Sequence, residues 1–162
     1  MWLWMAVAMA SEPSVAGTWQ RIATQAEVDA VHASAVQTTL DSLPWAFRGL
    51  ARGPVSRVVS SCGTVAIELT DGEFATTCDN KDRRPVQRPS NGRTTVNDKG
   101  ETVTVTLRAA PTDVWLEQRT EEGGVQVRYH LDGDVLVVDK AIVSSRLEEP
   151  TRWSVRYRRT AG

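Results

Sequence analysis

Few side chains in this 162-residue sequence have types and spacings that invite chemistry: two histidines, two cysteines, and an arginine-rich tail. An acid–base imidazole needs an enclosing pocket and a partner. His130 instead alternates with Arg128 on the polar phase of a strand, and His32 falls on a short helix, so both read as surface residues. Cys62 and Cys78 form no Cys-x-x-Cys, and no histidines stand at i and i+4, which leaves too few soft ligands for a structural zinc site. Asp132-Gly133-Asp134 resembles a fragment of a calcium loop but lacks further oxygen ligands in register, and reads as a hairpin turn. Serines are plentiful, yet no Gly-x-Ser-x-Gly elbow exists to support a hydrolase triad. Arg152, Arg156, Arg158 and Arg159 are read as partners of acidic neighbours on adjacent strands rather than as an anionic-surface site. No catalytic residue, metal site or cofactor is assigned. An inward acid with a raised pKa, for which Glu68 and Glu117 are the candidates, is the sign that would point to catalysis.

The elements that position these residues come from one domain's worth of chain. Nineteen Lys and Arg against twenty Asp and Glu give a net charge of −1, which offers no pull toward a phosphate lattice, and nucleic acid is not expected as a partner. Residues 2–10 are apolar but far shorter than the roughly 20 residues of a membrane span. Ala8-Met9-Ala10 has the form of a signal-peptidase site, so residues 1–10 are read as a short or truncated export signal and residues 11–162 as a single domain. Export, to a periplasm or outside the cell, favours a Cys62–Cys78 bridge.

Residues 15–22 read as a strand. Thr24 and Glu27 have capping-box spacing, and Val28, Val31 and Ala35 continue a helical stripe. A second track, Val36, Leu40, Leu43, Phe47 and Leu50, predicts another short helix, N-capped by Ser42 with Pro44 in its first turn and ended by Gly53-Pro54. Downstream, alternation predicts antiparallel strands around Val65–Leu69, 102–108, 113–120, 124–131, 134–144 and Arg152–Arg159. The stretch Asp79 to Gly92, with two prolines and many charges, reads as the longest loop. A two-residue turn at Asp71-Gly72 pairs Cys78 with Val65, so a bridge to Cys62 requires the chain to bend at Gly63. The fold class is all-β: an up-and-down antiparallel barrel of 8–10 strands, with two short helices after the first strand across one mouth.

Val15-Ala16-Gly17-Thr18-Trp19 resembles the Gly-x-Trp opening of the lipocalins and fatty-acid-binding proteins, and the helix pair is more like the fatty-acid-binding branch. The tail from Leu147 to Arg159 is also similar to bacterial lipocalin-like domains. The resemblance implies a barrel floor in which Arg158 or Arg159, beside Gly17, lies over Trp19. It also implies an interior ligand. The family's Arg-x-Tyr clamp on the last strand is missing, since Arg156 and Tyr157 are adjacent and face opposite sides.

The expected pocket is lined by Val103, Val105 and Leu107, by Val127, Tyr129 and Leu131, and by Trp153, Val155 and Tyr157, with Arg21 as the one candidate interior charge. The function these residues point to is an exported, monomeric binding protein that carries or sequesters a small apolar ligand, neutral or with its polar group at the mouth. An isomerase- or cyclase-type enzyme using the same cavity, or an envelope protein with a filled barrel, are the alternatives.

Overall fold

The computed structural model describes residues 11–88 and 90–160, so the proposed export signal at residues 1–10 lies outside the described residues. Strand β1 (Gly17–Arg21) is followed by helices α1 (Gln25–Asp41) and α2 (Trp45–Val58). Nine strands then follow: β2 (Thr64–Leu69), β3 (Glu73–Cys78), β4 (Arg83–Gln87), β5 (Ser90–Val96), β6 (Thr102–Ala110), β7 (Asp113–Arg119), β8 (Gly123–Asp132), β9 (Val135–Ser144) and β10 (Thr151–Arg159). All pairings are antiparallel neighbours in sequence except β1 with β10, which closes the meander on itself. The sheet curls into a barrel with one seam, because β4 and β5 are its two edges. No described helix is long and apolar enough to cross a membrane.

Alternation sets the inner face. Along β10, Thr151, Trp153, Val155 and Tyr157 are buried while Arg152, Ser154, Arg156 and Arg158 are exposed. Trp19, Val65, Ile67, Phe74, Leu107, Val114, Tyr129, Leu136 and Val138 join them in one core. The floor is closed by Arg159 rather than Arg158. Its guanidinium carbon sits 4.2 Å from the Trp19 ring centroid, and it donates to the carbonyls of Ala16 (2.9 Å) and Ser14 (2.7 Å). Gly17, at φ +134°, leaves the space that this guanidinium fills: a Cβ there would meet Arg159 Nη1 at 2.2 Å. The Trp19 indole N–H donates to the Val15 carbonyl at 2.8 Å, so the ring is both packed and satisfied.

Three sequence expectations are corrected. The stretch from Asp79 to Gly92 is not a loop, since it contains β4 and the start of β5. Pro85 is tolerated because β4 is an edge strand. Ser42 caps the end of α1 instead of opening α2, its N–H and hydroxyl both donating to the Thr38 carbonyl. Helix α2 also runs through Gly53-Pro54 to Val58. The Thr24–Glu27 capping box is formed in both directions.

The chain bends at Gly63 through Asp79. Its carboxylate accepts from the N–H groups of Gly63 and Thr64, both at 2.9 Å, and Asp79 and Asn80 adopt left-handed φ of 50° and 56°. Cys78 pairs with Val65 on β2, and this bend returns Cys62 to Cys78, with which it forms a disulfide, Cα–Cα 5.3 Å.

Candidate functional site

The helices lie at the end of the barrel where β7 ends, β8 begins and β9 turns into β10. Helix α1 is anchored there, its buried Thr39 hydroxyl 2.9 Å from that of Thr151. Helix α2 has no buried residue. Trp45 is 83% and Leu50 79% exposed, and Arg146, in the turn after β9, lies over the Phe47 ring. Between α2 and the strand ends lies an apolar cleft of about 630 Å³, lined among others by Phe47, Leu50, Val55 and Val58 from the helix and by Val125 and Ile142 from the sheet. Val125 and Ile142 are register partners and share the phase of Val127 and Lys140, so the sheet side of the cleft is formed by the inward phase of β8 and β9.

Lys140 is the residue the sequence reading missed. Its register partners are Val127 on β8 and Trp153 on β10, both inward, so Lys140 points inward as well. Its ammonium donates to the Ser60 carbonyl at 2.7 Å, tying the segment after α2 to the barrel. Burial, reinforced by the positive charge of Arg84, lowers its pKa to about 8. Arg84 lies on the opposite wall, paired with Thr76 on β3. Thr76 bonds the buried Tyr129 hydroxyl, whose pKa burial raises to about 12. The signal was present in the sequence: in Leu136-x-Val138-x-Lys140-x-Ile142 a cation occupies the apolar phase. Beside Lys140, Trp153 is 5% exposed and its indole N–H has no hydrogen-bond partner among the described residues.

The expected pocket residues other than Arg21 lie on the inner face, but at different depths. Leu107, Tyr129, Trp153, Val155 and Tyr157 are buried in the packed core, with Val127 and Leu131 against it. Val103 and Val105 are half-buried on β6. The Tyr157 hydroxyl is used structurally, donating to the Cys62 carbonyl at 2.8 Å, and burial pushes its pKa well above the usual phenol value. Arg21, although paired with inward Tyr157, turns to the start of α1 and donates to Gln25 Oε1 at 2.8 Å. None of these residues lines the apolar cleft beneath α2.

The remaining candidates fall outside the interior. Glu68 is paired with Arg83 at 2.6 Å, and Glu117 accepts from Gln126 at 2.6 Å, both on the outer face. His130 meets Asp139 at 2.8 Å, also outside. His32 is partly buried with Nε2 2.8 Å from Ser61 Oγ, and its pKa is lowered by burial and by Lys140 against an opposing pull from Asp29. The expected acidic partners of the tail arginines are found only for Arg156, which meets Asp132 at 2.8 Å; among the described residues Arg152 and Arg158 make no ion pair, and Arg159 is taken up at the floor. The described residues include no group of three or more His, Cys, Asp or Glu side chains placed to hold a metal ion.

The described strands form an antiparallel meander with a helix pair after β1 and an arginine over the first-strand tryptophan. Among solved structures, the chain is similar to the REP1-NXSQ fatty acid transporter (TM-score 0.50, 12% identity, covering 91% of this chain and 97% of that one). It is also similar to fatty-acid-binding protein 1 of Echinococcus granulosus (TM-score 0.47, 11% identity, 90% and 97% covered) and to human cRBP IV (TM-score 0.44, 13% identity, 90% and 97% covered). At 12% identity the likeness to the transporter is one of fold alone. No family model and no curated protein matches the chain.

Proposed function

We propose that this protein is an exported, monomeric carrier or scavenger that binds a small apolar molecule at the mouth half of its barrel. The observation that carries the reading is the apolar cleft of about 630 Å³ between α2 and the strand ends, a volume within the usual range for a small-molecule site. Its helical wall is held loosely enough to admit a ligand. The fold of the fatty acid transporter named above supports the same use. In this reading the ligand packs against α2, Val125 and Ile142, and reaches down toward Val103, Val105 and Val127, while the deeper expected pocket residues serve as packed core. The outward placement of Glu68 and Glu117 favours binding over catalysis.

The test is titration with the neutral fluorophore N-phenyl-1-naphthylamine, followed by mass spectrometry of an organic extract of the protein purified from its native host. The reading expects saturable fluorescence enhancement at one site and a co-purifying apolar compound that displaces the probe. An unchanged signal at high micromolar protein, with an empty extract, would overturn it.

A further inference from the structure

We infer that the ligand is a single-chain amphiphile with a phosphate-monoester head, held between Lys140 and Arg84 while its tail occupies the cleft under α2. This rests on the binding reading above and adds the chemistry of the head group.

Four observations converge. First, the inner face of the described strands carries cations and no acid. Lys140, Arg84 and Arg93 hold inward positions on β9, β4 and β5, and no Asp or Glu does. Second, among the described residues no acid neutralises Arg84 or Lys140, as none does outward Arg108, Arg119, Arg152 or Arg158, whereas three outward arginines are paired. Outward Arg83 pairs with Glu68 and Glu73, Arg128 with Asp113 and Arg156 with Asp132. Arg84, next to Arg83 in sequence, makes no ion pair among the described residues, and Lys140 has only the Ser60 carbonyl as a polar partner. Third, the buried indole N–H of Trp153, in register with Lys140, is an unpartnered donor. Fourth, the seam between β4 and β5 exposes Arg84 and Arg93 to solvent, which gives an anionic head a route past positive charge.

The head group follows from charge and donor count. Lys140 and Arg84 repel each other across the interior, and a monocarboxylate neutralises only one of them. A phosphate monoester carries close to two negative charges at neutral pH and three acceptor oxygens. Those oxygens match an ammonium from β9, a guanidinium fork from β4 and an indole N–H from β10.

The test compares dodecyl phosphate, dodecanoate and dodecanol at pH 7.4 by displacement of N-phenyl-1-naphthylamine, with inorganic phosphate alone as a fourth arm. Dodecyl phosphate is expected to bind at least tenfold more tightly than dodecanoate and dodecanol, and inorganic phosphate to compete only at millimolar levels. Lys140→Met and Arg84→Gln should each erase the phosphate preference and leave dodecanol affinity within twofold. Lys140→Arg, which retains the charge, should keep the preference and guards against a folding artefact. The preference should also fall as pH rises above about 8, where Lys140 loses its proton. Arg84 from β4 also faces Lys140, and so does His32 from α1, whose pKa burial lowers. Equal binding of dodecyl phosphate and dodecanol overturns the head-group site while leaving the apolar reading standing. Equal binding of dodecyl phosphate and dodecanoate, both above dodecanol, overturns the phosphate assignment. If only inorganic phosphate binds, or no arm does, the apolar reading fails with it.

Discussion

The two ends of the barrel are built on opposite principles. At the floor the central groups are satisfied: Trp19 is buried and donates to Val15, Arg159 covers its ring and caps two carbonyls, and Arg88 spans the seam by donating to Thr70 (2.5 Å) and Ala109 (3.2 Å). At the mouth the balance is left incomplete. Among the described residues Lys140 is inward without an acid, the Trp153 indole N–H is unpaired, and α2 buries none of its residues. A packed floor supplies cooperativity and an underpacked, positively charged mouth supplies a place to bind, so stability and function occupy separate ends of one sheet.

The largest effect expected from this contrast is at the floor. Trp19→Ala should cost about 3–5 kcal/mol in chemical denaturation, the usual range for deleting a buried aromatic. A loss below about 1 kcal/mol would remove the floor's claim to be the stabilising end.

Reduction of the Cys62–Cys78 bridge comes next. It closes a loop of 16 residues, for which unfolded-state restriction predicts about 3 kcal/mol. Comparison of the oxidised protein with the Cys62→Ser/Cys78→Ser variant by urea denaturation checks it. Two free thiols on titration of the unfolded, unreduced protein would contradict the bridge itself.

Lys140→Met should act with the opposite sign. The folded-state pKa of Lys140, lowered to about 8 from 10.5, means that the unfolded chain binds more protons between those values, so wild-type stability rises as pH climbs through that window. Below pH 8 the charged, partly buried ammonium is a net cost. At pH 7 the Met variant should therefore be more stable by about 1–2 kcal/mol, after allowance for the lost Ser60 bond and for solvent screening. The rise between pH 8 and 10.5 should vanish in it. Parallel pH–stability curves for the two proteins would show that Lys140 is not an interior cation.

Smallest in stability, and most informative about the mouth, is Leu50→Ala on exposed α2. Thermal unfolding should shift by less than about 0.5 kcal/mol equivalent, while affinity for N-phenyl-1-naphthylamine should drop severalfold. Unchanged probe binding would take α2 out of the site.

Much of this organisation was legible in the sequence, and the failures share a cause. Strands whose one face meets the core and whose other meets water, such as Val125–Leu131 and Trp153–Tyr157, announce themselves by alternation. So do the Thr24 capping box and the tryptophan at the floor. Strands β4 and β5 did not, because at an exposed seam neither face has to be apolar and Pro85 is harmless on an edge. Pro54 reads as a helix end, yet α2 passes through it, its solvent exposure leaving the carbonyl freed one turn earlier open to water. Lys140 escaped notice because alternation marks polar residues as outward, and a functional cation on the inner phase is the exception that the pattern averages away.

The most direct test of a binding mouth over an inert floor is a backbone amide NMR titration with dodecyl phosphate at pH 7.4. The account predicts saturable shifts concentrated at Lys140, Ile142, Val125, Trp153 and α2, with the Trp153 indole N–H among the largest, and no change at Val15, Trp19 or Arg159 beyond experimental scatter. Shifts centred on the floor residues, or spread evenly over the sheet with no indole response, would contradict it.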